Sequence, residues 1–398
     1  MTMRFFHRAL WMAILPVLFV FTVPVMAQDA AANLIGECAA TYDPTVNYFP
    51  DRVEIEYAST FEVEYFNNYK VIHVNTPWQG AERGFTYVLV QCGTPVPDGY
   101  EGAAVIEVPI RSMVSMSTTY LPHLVALDEV DALVGVDEFD FIYSPEIRER
   151  IDTDELIEVG GGNLVNVEQV LNLDPDLVMT YGLGSPDYDA HPVLIEAGIP
   201  VALNADFVET SPLGRAEWLK FTAMFFNREY AANTLFNAIA ADYAALTELA
   251  ASVAERPTVM VNGMFQGTWY VSGGSSFAAQ LIRDAGGEYL WADDESVGGV
   301  PLSFEEVFDR AQESDFWLNA NFWLSLNDGL AEDERYAEFA PFQTGNVFNN
   351  TARVSPSGAN DYTESGALRP DIVLQDLIHI FHPELLPDHT LYYYQRLS

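Results

Sequence analysis

Residues 211–256 constrain this chain more than any other stretch. They read SPLGRAEWLKFTAMFF and then NREYAANTLFNAIAADYAALTELAASVAER. Leu235, Phe236, Ile239, Tyr243, Leu246 and Ala250 recur every three to four residues, so one helical face is apolar. From about Arg228 to Ala254 there is no Pro or Gly, and Ala, Leu and Glu dominate. At 1.5 Å per residue such a helix runs roughly 40 Å, enough to cross two domains. Pro257 stops it. The blocks on either side each read as strand–helix–strand, so this helix is expected to tie two α/β lobes together. One long core helix in a single large domain fits the same periodicity.

The 398 residues suffice for two domains, and 49% hydrophobic residues can bury sizeable cores. The expected division is a leader over 1–27, a strand-rich extension over 28–104, a first α/β lobe over 105–210, connecting helices over 211–256 and a second lobe over 257–398. In the leader, Arg4 and Arg8 precede the apolar run LWMAILPVLFVFTVPV and the small-residue site Val25-Met26-Ala27. That is the pattern of a secretory signal, with cleavage expected after Ala27. An uncleaved anchor is the alternative, but Pro16 and Pro24 interrupt the short apolar run.

The only two cysteines, Cys38 and Cys92, follow the leader. In an oxidising compartment they are expected to form a disulfide. A lipid-modified Cys38 competes with that reading, but Glu37 is bulky where a lipoprotein signal needs a small residue. The net charge is −40, and removing a leader with two Arg and no acid leaves −42. Such a balance argues against nucleic acid and anionic membranes as partners. A salty or acidic habitat accounts for it as well.

In the extension, Val53–Tyr57, Phe61–Tyr65, Lys70–Val74 and Thr86–Gln91 read as short strands. From Ala104 the rhythm changes. Strands are expected over Val105–Pro109, Met113–Met116, Leu133–Val136, Leu177–Thr180 and Ile199–Leu203. Helices are expected over Thr118–Val130, Pro145–Arg150, Val167–Leu173 and Pro192–Ala197. After the connecting helix the pattern resumes with Thr258–Asn262 and Asp315–Asn319 as strands, and Phe277–Ala285, Phe304–Arg310 and Asp371–Phe381 as helices. Short strands alternating with helices predict an α/β fold with mainly parallel sheets flanked by helices. In such sheets ligands sit at the carboxyl ends of the strands. The loops expected there carry the ligand-binding candidates Thr118, Tyr120, Phe139, Tyr143, Tyr181, Trp269, Trp323 and Tyr362. Aromatic rings with a polar tip suit a bulky, partly polar ligand, although any of them could equally be core.

Two segments match each other. Asn166-Val167-Glu168-Gln169 precedes the strand Leu177–Thr180, and Ser303-Phe304-Glu305-Glu306 precedes Asp315–Asn319. Each has capping-box spacing, with Gln169 or Glu306 turning back to the cap. That leaves Glu168 and Glu305 pointing outward, where they also suit the positive end of a helix.

With these residues on the page, the chain resembles the solute-binding component of an ABC importer. The subgroup it is similar to has two α/β lobes joined by one long helix and serves ferric siderophores, haem and cobalamin. The similarity runs from about residue 105 to the end and rests on NVEQVLNLDPDLV (166–178), SPLGRAEW (211–218) and RPDIVLQDLIHIFHPEL (369–385). The resemblance implies a monomeric, non-enzymatic protein that captures a metal chelate between its lobes. It also implies that Glu168 and Glu305 dock onto arginines of the membrane permease. The second helix-to-strand segment is two residues longer than the first, which keeps Glu306 as a substitute for Glu305. The 28–104 extension lies outside the family's minimal pattern.

No P-loop, GxGxxG or GxSxG motif occurs. Past the leader stand six histidines, His73, His123, His191, His379, His382 and His389, without a His-rich loop. Direct metal ligation is therefore not expected, nor any cofactor, and bound iron would be carried by a chelator. The few basic residues near the expected cleft loops, Arg353 and Arg369, favour a neutral or cationic chelate over an anionic one. A ligand-sensing subunit, a bare-zinc or bare-manganese binder and an extracytoplasmic enzyme on the same scaffold are the competing readings.

Overall fold

The computed structural model describes Met1 and residues 32–398. The expected leader, apart from Met1, lies outside the described residues. The first sheet has the order β1-β2-β3-β4, from β1 (Phe61–Tyr65), β2 (Tyr69–Val74), β3 (Phe85–Gln91) and β4 (Ala104–Val108). The first three strands meander antiparallel, while β4 pairs parallel with β3. The run at 105–109 therefore belongs to this sheet and does not open the next one. The Cys38–Cys92 disulfide forms, with 4.8 Å between the Cα atoms.

The expected strand over Val53–Tyr57 is absent. Two buried carboxylates take the amides of this stretch instead. The N–H groups of Glu56, Tyr57 and Ala58 donate to Glu217 at 2.7–3.1 Å. Those of Ser59 and Thr60 donate to Glu209 at 3.0 Å. Asp376 does the same for Tyr392, Tyr393 and Tyr394 at 2.7–3.1 Å. A buried carboxylate is tolerated when donors fill its lone pairs. An acid-rich chain thus fastens its irregular segments from within.

The second sheet is wholly parallel, in the order β7-β6-β5-β8-β9. Its strands are β5 (Met113–Ser115), β6 (Leu133–Val136), β7 (Ile157–Glu158), β8 (Leu177–Thr180) and β9 (Val201–Leu203). The helices of this half are α1 (Leu121–Leu127), α2 (Pro145–Asp152), α3 (Val167–Leu173) and α4 (His191–Glu196). A short 3-10 turn over Thr118–Tyr120 precedes α1.

Then follow α5 (Pro212–Phe226) and α6 (Glu229–Ala251). Asn227 separates them in the left-handed conformation, φ 57°, which Asn adopts at modest cost. With 23 residues, α6 is about 35 Å long, shorter than expected. Its buried face carries Phe236, Ile239, Tyr243, Leu246 and Ala250, as the periodicity predicts. In its first turn Glu229 pairs at 2.6 Å with the fully buried Lys70 of β2. From Ile239 onward it packs into the core of the C-terminal half.

That half contains, in chain order, β10 (Thr258–Val261), β11 (Met264–Phe265), β12 (Thr268–Ser272), α7 (Phe277–Asp284), β13 (Glu288–Tyr289) and β14 (Gly299–Leu302). Next come α8 (Phe304–Ala311), β15 (Phe316–Leu318), α9 (Leu326–Glu332), α10 (Ala340–Thr344), β16 (Val347–Asn349), α11 (Asp361–Ser365), α12 (Pro370–Phe381) and β17 (Gln395–Arg396). The main sheet runs β13-β10-β15-β16-β17, parallel except for β17. A small antiparallel sheet, β11-β12-β14, stands beside it. The α/β fold with parallel sheets flanked by helices stands as the sequence predicts.

Candidate ligand-binding cleft

The carboxyl ends of β5, β6 and β8, with the loop after β7, surround a depression of about 460 Å³. Of the ligand-binding candidates, Thr118 and Tyr181 line it, beside Asp137, Phe141, Leu183 and Tyr188. Burial pushes the Asp137 carboxyl up to about 6, against its own and Glu138's backbone N–H. Glu138 also lines the depression, and no Lys or Arg does.

Tyr181 meets Phe207 edge-on, with ring centroids 6.4 Å apart. Beside Phe207, Asp206 pairs with Arg215 at 3.2 Å. The Arg215 guanidinium lies 4.4 Å over the Phe277 ring of α7, so it joins the two halves. Its Nε is buried without a hydrogen-bond partner. Arg215, Phe277 and Tyr362 line a second cavity of about 230 Å³. Helix α11, which carries Tyr362, packs on the Thr118–Tyr120 turn, so this cavity lies where the halves meet. Arg215 stands in the quoted SPLGRAEW segment, but its pairing with a residue on the preceding loop left no sequence signal.

Other candidates fall elsewhere. Tyr120 is buried, and its hydroxyl donates to the Asn204 carbonyl at 3.0 Å. Its role is to support the exit of β9. Phe139 packs against the core of the first half, while Phe141, two residues on, is the exposed ring. Tyr143 lines a third cavity, of about 370 Å³, with Arg353 5.2 Å over its ring. Its backbone N–H donates to Glu364 at 2.6 Å, and that of Ser144 at 3.0 Å. This carboxylate from α11 thereby caps the start of α2 across the two halves.

Trp269 and Trp323 are core residues, not cleft residues. Trp269 is 0% exposed and stacks on Trp317 at 5.5 Å. In β12 it takes the inward phase of the strand while Tyr270 takes the outward one. The Trp323 indole donates to Glu332 at 2.6 Å. The neighbouring Asn321 amide bonds Met264 O at 3.1 Å and Glu332 at 2.8 Å, tying the two strand-end loops together. With Asn321 and Trp323 turned in, Phe322 and Leu324 turn out; Phe322 is 90% exposed. Phe265 at the β11 turn is exposed too. Exposed large apolar side chains thus sit on strand-end loops of both halves: Phe141, Leu183, Tyr188 and Phe207 on one, Phe265, Phe322 and Leu324 on the other.

Glu168 and Glu305 occupy matching positions, each the second residue of its helix, α3 or α8, and both are exposed. Glu306 completes the capping box on Ser303. In α3 only half of that box exists. Asn166 accepts from the Gln169 N–H at 3.1 Å, but its own N–H goes to Val159 O at 2.7 Å.

The profile of the family described as periplasmic binding protein matches residues 113–354, more than half of the chain. The chain belongs to the periplasmic binding protein family. An uncharacterised lipoprotein of Methanocaldococcus jannaschii is 25% identical over 79% of this chain and 77% of its own length. Among solved structures, Helicobacter pylori Ceue with Ni(II) bound has a TM-score of 0.56 at 16% identity, covering 75% of this chain and 92% of that one. The periplasmic haem-binding protein of Roseiflexus sp. RS-1, in apo form, has a TM-score of 0.52 at 23% identity, covering 69% and 99%. These two carry the likeness of fold. As a periplasmic binding protein, the chain has an N-terminal sheet, β1–β4, that lies wholly before the matched region.

Among the described residues, no group of three or more His, Cys, Asp and Glu is arranged to hold a metal ion. His123 is buried against Thr222 Oγ1 at 2.9 Å, and burial pushes its imidazole down to about 3. His379 and His382 contact the carbonyls of Leu386 and Gly286, and His389 contacts Asp376 at 2.6 Å. No helix of the described residues is long and apolar enough to cross a membrane.

Proposed function

We propose that this periplasmic binding protein captures a bulky metal chelate, a ferric siderophore foremost, and delivers it to an ABC permease. The observation that carries this is the concentration of exposed aromatic and aliphatic side chains on strand-end loops of both halves. Exposed apolar residues scattered singly need no explanation, whereas a set on strand-end loops suits a binding surface. The depression holds Asp137 and Glu138 with no basic neighbour in its lining, which suits a neutral or cationic chelate. The ferric hydroxamates are such a class. Of the similarly folded proteins, the one from Helicobacter pylori has Ni(II) bound and the one from Roseiflexus sp. RS-1 is a haem-binding protein, in line with metal-bearing cargo.

The chain acts as a monomeric binding protein and not an enzyme, outside the cytoplasm. The Cys38–Cys92 disulfide suits an oxidising compartment. It also occupies the sulfur that an acyl anchor on Cys38 would need, which supports release by a cleaved leader. Glu168 and Glu305 are the permease-docking pair. With Glu306 committed to Ser303, Glu305 is the first-turn carboxylate of α8 left outside the cap.

The test is uptake of a ferric hydroxamate by cells carrying Glu168→Lys with Glu305→Lys. Loss of uptake with unchanged chelate affinity is expected. Normal uptake by the double variant would overturn the docking assignment.

A further inference from the structure

The N-terminal sheet reaches one lip of the cleft through Trp78. The connection from β2 to β3, Asn75–Gly84, is ten residues long, where a hairpin needs about two to five. It carries Trp78, whose carbonyl accepts the Ala81 N–H at 3.1 Å in a tight turn. The Trp78 ring lies against the loop that leaves β8. A Cβ on Gly182 would stand 2.7 Å from Trp78 Cε3, and one on Gly184 2.5 Å from Trp78 Nε1. Gly184 also has φ +76°, so it is required there on two grounds.

The indole is held by residues of both elements. It stacks on His191 at the start of α4, with centroids 5.7 Å apart and 28° between planes. It also meets Phe85 of β3 edge-on at 6.2 Å. On its inner side the same loop is pinned by Asp189, which accepts the N–H groups of Leu183 at 2.6 Å and Ser185 at 3.0 Å. Between these two fixings, Tyr181, Leu183 and Tyr188 line the depression at the strand ends.

We propose that Trp78 is a positioning residue: it straps the Tyr181–Asp189 lip of the cleft to the N-terminal sheet and so presets the ligand-contacting rings. This rests on the cleft being the chelate site. It assigns the extension the task of stiffening one wall, and a wall ordered in advance loses less entropy when the ligand binds. Trp78 touches the glycines of the lip and is not among the residues that line the depression.

The experiment is amide hydrogen exchange of the ligand-free chain, followed by dissociation of a ferric hydroxamate. In Trp78→Ala, amides of Leu183–Tyr188 should exchange about tenfold faster, while those of β8 keep their protection. Trp78→Phe should restore most of the slow exchange. Gly184→Ala, which pushes on the ring from the other side, should loosen the same amides. Dissociation of the ferric hydroxamate should speed up about tenfold in Trp78→Ala, since affinity changes of this kind fall mostly on the off-rate. Unchanged exchange at 183–188 in Trp78→Ala would overturn the strap. Faster local exchange in a chain whose wild type binds no chelate would support the strap and overturn the ligand reading instead.

Discussion

Glu306 closes on Ser303: one carboxylate oxygen accepts both its N–H and its hydroxyl, each at 2.8 Å. The preceding Glu305 is left 76% exposed, with Arg335 at 3.5 Å as its one ion-pair neighbour among the described residues. Glu306→Ala should therefore lower the melting temperature and leave uptake intact, because a cap is lost. Glu305→Lys should do the reverse. Thermal melts and uptake assays on the two single variants check this. Loss of uptake in Glu306→Ala alone would reverse the assignment.

The aromatic residues divide by the phase of their strand or loop. Trp269→Ala removes a fully buried ring that stacks on Trp317 and should cost about 3–5 kcal/mol of stability. Phe322→Ala and Phe265→Ala act on exposed rings and should change stability by less than about 0.5 kcal/mol, yet weaken chelate binding. Urea melts and equilibrium titration on the same variants separate the two effects.

Glu364 makes stability pH-dependent. Burial raises its carboxyl to about 7, against the N–H donors of Tyr143 and Ser144. A carboxyl whose folded pKa lies above its unfolded value favours the fold when protonated, so its contribution falls as pH rises from about 4.5 to 7. The loss relative to an ordinary Glu is up to about 3 kcal/mol. Glu364→Gln has no such titration. The stability of the variant minus that of wild type should grow between pH 5 and pH 8 in urea melts. A difference independent of pH would contradict the raised pKa.

Much of the fold was legible because local rules and tertiary structure agree. Helix α3 and strand β8 lie where capping and a short apolar run put them, and the buried face of α6 follows its period. Misreadings arose where distant residues decide. Val53–Tyr57 has the composition of a strand, but its neighbouring amides are taken by Glu217, about 160 residues on. The run at 105–109 looks like the first strand of an α/β lobe, and its register with β3 appears only in space. For the aromatic-rich loops, residue types alone do not say which ring of each faces outward. That is set by strand phase at Trp269 and by Asn321 turning inward beside Phe322. Arg215 was hidden for the same reason, since its partners Asp206 and Phe277 come from separate halves.

The most direct test of the account is equilibrium titration of the purified chain with a ferric hydroxamate, haem, cobalamin and bare Zn²⁺, read by calorimetry. The buried Trp269 and Trp323 are poor reporters, so a label-free readout is required. The account predicts saturable, micromolar or tighter binding of one chelate, weakened at least about tenfold by Tyr181→Ala combined with Phe322→Ala, and none of bare Zn²⁺. Tight binding of bare Zn²⁺, or chelate binding untouched by that double variant, would contradict it.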